Sequence, residues 1–312
     1  MSMLFKRLLP MEPVKADAVP AGQGYLYQVK WDGVRIIAHV GDGRVMLHNR
    51  KLKDRTQHYP ELASLLQLVR GSAVLDGELV AFKNGKPNFP LVLERDLINP
   101  ERFGGRGKLS GKIPVFYLVF DLLWLNGQDL TSFPLKKRQE LLHDCLDESD
   151  IVRQVENFAD GEALYTAVAE KELEGIVAKK ENSLYKSGKK SRDWLKIKIR
   201  RRQLVVIGGY TVKNGRPSAL LVGAFRQGKP VYLGSVASGL SERDFSLLIP
   251  YLQKNKVSEP PFAGAAFGRD RIWAKPSLTA LVEFAEWTED LRMRQPVFIG
   301  FTKDKPDECV LS

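Results

Sequence analysis

A lysine that closes one strand-like run is separated by one residue from an Asp-Gly turn into the next at Lys30-Trp31-Asp32-Gly33-Val34-Arg35. By itself this pattern is short enough to arise by chance and describes a hairpin with charged residues at its tip. Comparable placements recur along the chain. Asp76-Gly77-Glu78 lies within LDGELVAF and Glu174-Gly175 opens EGIVAKK, so each glutamate adjoins an apolar run with a glycine beside it. Lys196 and Lys198 alternate with Leu195 and Ile197, which sends both ammonium groups to one face of a strand. Arg35 and Arg50 offer the planar donor fork that matches a phosphate, although either also reads as a surface charge. Phe120, inside VFDLLWLNG, reads on spacing alone as plain core.

The positive charge is concentrated. The chain carries a formal +11, and Lys179 to Arg202 holds 11 Lys or Arg against only Glu181 and Asp193, a local balance of +9. Trp194, Leu195, Ile197 and Ile199 are interleaved with these charges as in a strand with one apolar face. The segment therefore reads as a footprint for backbone phosphates, with Lys186, Lys189, Lys190, Arg192, Arg200, Arg201 and Arg202 as its contacts.

With 312 residues the chain is long enough for two domains, and 44% hydrophobic with 27% charged residues is an ordinary globular composition. The longest apolar run, Val115 to Leu125, is far shorter than a bilayer span and contains Asp121. No small-residue cleavage site follows the amino-terminal MSMLFKRLLPMEP. Cys145 and Cys309 can form neither a disulfide framework nor a zinc site, and a reducing cytoplasm is expected.

Strands that could position these residues are expected at Tyr25 to Lys30, Val34 to Val40, Arg44 to Asn49, Ala73 to Phe82, Val115 to Leu125, Ile151 to Phe158, Gly175 to Lys179 and Trp194 to Ile199. Helical spacing marks Pro60 to Val69, Pro134 to Leu146 and Gly161 to Glu172. From Gln203 the texture changes to the strands QLVVIGGYTV, SALLVGAFR and KPVYLGSVA, followed by a helix, SERDFSLLIPYLQ. An α+β domain over 1–201 and a small OB-type β-barrel over 202–312 are expected, joined by a hinge near Arg200 to Gln203.

Taken together and in this order, Lys30 with its DG turn, Arg50 in HNRK, LDGELVAF, VFDLLWLNG, EGIVAKK and WLKIK resemble the covalent nucleotidyltransferase superfamily of ATP-dependent DNA ligases, RNA ligases and mRNA capping enzymes. A narrower likeness, to the ligase domain of bacterial ligase D, is carried by RRRQLVVIGGYT, VGAFRQGKPVYLGSVASGLSER and WAKPSLTALVEFAEWTED. It extends from about Pro10 to the carboxyl terminus.

The resemblance implies a fold and a chemistry. The fold is an adenylation domain of antiparallel sheets with flanking helices, followed by an OB domain. Lys30 would attack ATP and carry AMP, which passes to a 5′-phosphate at a nick before the 3′-hydroxyl displaces it. A lysine attacks only as the neutral amine, so neighbouring cations and partial burial are needed. Glu78 would contact the ribose and, with Glu174, hold Mg²⁺ or Mn²⁺; Phe120 would stack on adenine. Gln28 and Val29 would line the nucleotide site, Lys196 and Lys198 would meet the α-phosphate, and Arg35 and Arg50 a phosphate of AMP or of the nick.

Two departures stand out. Many relatives have Glu where Gln28 stands, two residues before the nucleophile, and an Arg where Thr302 precedes Lys303, Asp304 and Lys305. The carbonyl oxygen of Gln28 can still accept from the adenine amino group. Either Lys303 or Lys305 would orient the pyrophosphate in its place, or self-adenylation would be slow. Ligase D commonly carries polymerase and nuclease modules as well, so the chain reads as a free-standing ligase or an excised domain. The expected protein is a monomer acting on nicked duplex DNA, away from membranes, with a Ku-like end-binding partner. Its rivals are an RNA ligase, a capping-type guanylyltransferase and a non-enzymatic nucleic-acid-binding protein.

Overall fold

The computed structural model describes residues 3–98, 112–288 and 290–311. The chain divides into two units, Met1–Ile199 and Arg200–Ser312.

The first unit contains β1 (Glu12–Lys15), β2 (Tyr25–Lys30), β3 (Val34–Gly41), β4 (Arg44–Asn49), β5 (Ala73–Val80), β6 (Phe82–Lys83), β7 (Lys86–Pro87), β8 (Phe116–Leu125), β9 (Gln128–Asp129), β10 (Val152–Gln154), β11 (Gly175–Lys180) and β12 (Lys190–Lys198). One sheet runs β1-β12-β11-β2 and another runs β10-β8-β5-β3-β4, with β9 on β8. Most neighbours are antiparallel; β1 with β12 and β10 with β8 are parallel. Asp42 and Gly43 turn β3 into β4, both at positive φ, the geometry a tight hairpin needs.

Both faces of the larger sheet are covered, which is why its strands are apolar without a clean alternation. In β3, Ile36, Ala38 and Val40 face one core with Leu62, Leu65, Val92 and Leu142, while Ile37 faces another with Trp124, Tyr185 and Trp194. The smaller sheet buries Tyr27, Ile176, Ala178 and Ile197 against Leu164 and Val168 of a helix. The helices are α1 (Leu65–Leu68), α2 (Phe89–Leu97), α3 (Leu135–Cys145) and α4 (Gly161–Glu170).

Several expected elements differ in extent. The helix expected over Pro60 to Val69 is a 3₁₀ segment, Pro60–Ser64, followed by the single turn α1, because Val69 leaves the helix to bridge Leu146. The strand expected over Ile151 to Phe158 is reduced to β10; Val152–Gln154 pairs with β8 while Phe158 bridges Tyr27 of the other sheet. Helix α2 was not expected from the apolar run FPLVLERDL. It begins where the Asn88 side chain accepts from the Leu91 amide, with proline tolerated in the first turn.

The second unit is one antiparallel sheet, β15-β14-β13-β16-β17, built from β13 (Arg201–Lys213), β14 (Arg216–Arg226), β15 (Lys229–Val236), β16 (Arg271–Phe284) and β17 (Val297–Phe301). Helix α5 (Glu242–Lys254) begins in a capping box between Ser241 and Asp244 and buries Leu248 and Leu252 against the sheet core. The two edges meet at an isolated bridge between Ser238 and Val297 rather than along a ladder. The unit is thus the OB-type fold expected, with its barrel left open.

Candidate active site

A cleft of about 570 Å³ lies between the two sheets of the first unit, and residues of both line it. Lys30 is the last residue of β2 and pairs with Gly175 of β11, which on its other side pairs with Lys198 of β12. This row across three strands sets Glu174 between two lysines. Lys30 Nζ donates to Glu174 Oε2 at 2.5 Å, and Lys198 Nζ lies 2.7 Å from Oε1. Gly175 is required there, since a Cβ would lie 2.2 Å from the Ile197 carbonyl oxygen and φ is +152°. Gly33 has a similar reason, because a Cβ would meet the Leu79 carbonyl oxygen of β5 at 2.2 Å.

Opposite, Arg35 of β3 pairs in register with Glu78 of β5. Burial pushes the Glu78 carboxyl up to about 8; Lys30 and Arg35 oppose this, while Asp76 and Glu174 reinforce it. Lys196 lines the cleft, and its ammonium is pushed down by burial and then by the charges of Lys30 and Lys198. Arg35 also lines the cleft, but its guanidinium is committed to Asp76 at 2.9 and 2.6 Å. Tyr185 donates to the same carboxylate at 2.7 Å.

Gln28 and Val29 line the wall beside Lys30, with Phe120 across from them on β8. Gln28 Nε2 donates to Asn157 Oδ1 at 2.7 Å, Asn157 to Gln139 at 2.9 Å, and Gln139 to the Phe120 carbonyl oxygen at 2.8 Å. This chain fixes the amide so that Oε1 is left as the acceptor. Next to Phe120, the buried Asp121 forms two bonds with Arg138 of α3, at 2.8 and 2.7 Å. Arg50, at the exposed end of the cleft, lies 3.7 Å from Glu12.

The basic segment separates into two sets. Lys186 bonds Asp193 at 2.6 Å, Arg200 and Arg202 lie within 3.5 Å of Glu283, and Arg201 is half-buried on β13. Lys189, Lys190 and Arg192 are exposed and have no ion-pair partner among the described residues.

Two residues at the site, one behind the cleft wall and one on it, were missed by sequence reasoning. Asp76 anchors Arg35, a pairing visible only once β3 and β5 are in register. Lys179 is buried yet lines the cleft. The available signal was alternation, since Val177 and Lys179 share a strand face and both line the cleft.

No cluster of three or more potential metal-ligating side chains occurs among the described residues. The carboxylates at hand are Glu78, on the cleft wall, and Glu174, bonded to Lys30 beside it; two such oxygen ligands suit a hard divalent cation that takes its other ligands from phosphates and water.

Two mostly antiparallel sheets enclosing this cleft, followed by an open OB fold, define a nucleotidyltransferase of the ligase type. Comparisons with known proteins narrow the class. A family model described as ATP dependent DNA ligase domain matches residues 10–198, and one described as ATP dependent DNA ligase C terminal region matches residues 213–305. The chain belongs to the ATP-dependent DNA ligase family. It is 32% identical over 298 residues to the multifunctional non-homologous end joining protein LigD of Mycolicibacterium smegmatis, covering 92% of this chain and 37% of that protein. A DNA ligase of Thermococcus fumicolans is 27% identical over 311 residues, covering 95% of this chain and 55% of that one. The chain thus spans little more than a third of the LigD protein and about half of the archaeal one. Among solved structures, the ligase domain of M. tuberculosis LigD superposes with a TM-score of 0.55 at 29% identity over 99% of both chains. A mycobacterial DNA ligase D complexed with ATP and MES gives 0.54, also at 29% and 99% of both.

Proposed function

We propose that this chain seals 5′-phosphate/3′-hydroxyl nicks in duplex DNA through AMP carried on Lys30. The observation that supports this most directly is the placement of Lys30 at the end of β2, with its amine on Glu174 and beside a cleft lined by Gln28, Phe120 and Lys196. In the first step the Lys30 nitrogen attacks the α-phosphorus of ATP, a P–N bond forms and pyrophosphate leaves. Glu174 Oε2, already accepting a hydrogen from Lys30, is the nearest acceptor for the proton the amine must lose. An oxygen of the DNA 5′-phosphate then attacks the AMP phosphorus, the P–N bond breaks and Lys30 regains a proton. Finally the 3′-hydroxyl attacks the 5′-phosphorus and AMP departs.

Positioning and charge neutralisation supply most of the catalysis in such transfers. Lys196 serves the α-phosphate from the cleft wall, joined by Lys198 through Glu174. Arg50 reaches the nick phosphate, and Arg35 shapes the wall from its bond to Asp76. Phe120 stacks on adenine and Gln28 Oε1 accepts from its amino group. Glu78 and Glu174 would hold Mg²⁺ or Mn²⁺, which when bound would neutralise phosphate charge. The DNA backbone is met by Lys189, Lys190 and Arg192. The likeness to the non-homologous end joining protein LigD supports a place in end joining; nick repair, a Ku-like partner and a cytoplasmic location belong to the same reading.

Incubation with α-labelled ATP and Mg²⁺ or Mn²⁺ tests the reading. Wild type takes up the label and passes it to nicked DNA, whereas Lys30→Ala takes up none. A wild type shown free of AMP that stays unlabelled, or a labelled Lys30→Ala, would overturn it.

A further inference from the structure

Lys179 has no part in the chemistry above, yet it occupies a costly position. It is 2% exposed, burial pushes its ammonium down to about 7, and its nitrogen meets no hydrogen-bond acceptor among the described residues. It lies 4.3 Å from the ring centroids of both Phe120 and Trp194. The carboxylates that act on it are committed elsewhere, Asp76 to Arg35 and Asp121 to Arg138. A buried ammonium without an acceptor weakens a fold, and an apolar side chain of similar length would fill the slot at less cost. A residue that opposes stability at the wall of a cleft is a candidate for function.

The rings beside it give that function a form. Phe120 lines the same cleft, and the Arg35 guanidinium also lies 5.0 Å from its centroid. A cation over an aromatic ring draws on its π electrons and fixes its orientation. The ring then offers the cleft a more electron-poor surface, which stacks better on an electron-rich base. We infer that Lys179 is a positioning residue for the nucleotide: it acts through Phe120, holding the ring and drawing its π density toward the protein so that it binds a purine more tightly. This rests on the reading of Phe120 as the stacking residue.

The test is the rate of Lys30 adenylation at varied ATP, in full-length protein freed of AMP, for wild type, Lys179→Met, Phe120→Leu and the double variant, with thermal melting of each. Lys179→Met should melt no lower than wild type. Its KM for ATP should rise roughly five- to tenfold, with a smaller change in maximal rate. Lys179→Arg should restore much of the affinity. In the Phe120→Leu background, Lys179→Met should add nothing. Lys179→Gln makes the same comparison if the methionine variant does not fold. An unchanged KM in the Lys179 variants, or an equal rise in both backgrounds, would overturn the role of Lys179 alone. A fall in melting temperature with loss of maximal rate would assign Lys179 to the core instead. If Phe120→Leu itself leaves KM unchanged, the stacking reading falls, and the role of Lys179 with it.

Discussion

Single residues in the first unit divide into those the sequence could reveal and those only packing could. Lys30, Glu78, Glu174, Lys196 and Lys198 stand out in the sequence because they precede an Asp-Gly turn, adjoin a glycine or alternate with apolar neighbours. The structure places Lys30 and Lys198 on either side of Gly175 in one row, with Glu174 bonded to both lysines. Arg35 was legible as a residue but not in its attachment, since its bond to Asp76 depends on cross-strand register. Asp121 reads in sequence as a lone acid in an apolar run; its partner Arg138 lies on α3, and both side chains are fully buried. Removing one member of such a pair leaves an uncompensated charge in the core. Arg138→Met should therefore cost about 3–5 kcal/mol of stability by denaturant unfolding. A loss under ~1 kcal/mol would show that Asp121 finds another partner or a proton at little cost.

At the scale of elements, the strands around the cleft were largely readable from apolar runs and Gly turns, whereas short or divided elements were not. Val152–Gln154 and Phe158 pair with different sheets, a division no local pattern encodes. β16 escaped notice because its 14 residues include Lys275, Pro276 and Ser277, which read locally as a break. The segment preceding β1 is docked on β3 and β4 by two imidazoles that act as acceptors. Phe5 N donates to His39 Nδ1 at 3.1 Å and Leu8 N to His48 Nε2 at 3.5 Å. Burial, reinforced by His48, pushes His39 down to about 3 from 6.5. Because the folded pKa is depressed, the unfolded chain takes up the proton first. The stabilising contribution is complete above about pH 6.5 and declines as pH falls toward 3. Denaturant unfolding at pH 7.5, 5.5 and 4.5 should show a smaller acid loss in His39→Asn than in wild type; parallel losses would remove His39 from the account.

At the scale of the whole molecule, the excess of positive charge was plain in the sequence, but not which cations are available. Acidic partners engage Lys186, Arg200 and Arg202, whereas Lys189, Lys190 and Arg192 face solvent. On the proposed function these three contact DNA phosphates. Their joint replacement by Ala should flatten the dependence of log affinity for nicked duplex on log salt by roughly 2–3, at about 0.9 per phosphate contact. Fluorescence anisotropy between ~50 and ~200 mM salt measures this. An unchanged slope would move the DNA footprint to other residues. Weakening should be uniform across flanking sequences, because such contacts carry no base information. The two-unit architecture was visible as a change of texture near Gln203, but the openness of the second sheet was not, because it turns on how its two edge strands meet.

The row from Lys30 through Gly175 to Lys198 also has a consequence in time. Lys30 and Glu174 are 144 residues apart in the chain, and Lys198 follows later still. During synthesis the lysine therefore emerges long before the strands that give it its neighbours. On the proposed chemistry, a nascent or prematurely terminated chain that stops short of β11 and β12 carries Lys30 without the means to consume ATP. Charging with nucleotide then reports that this unit has been made to its end and folded in register.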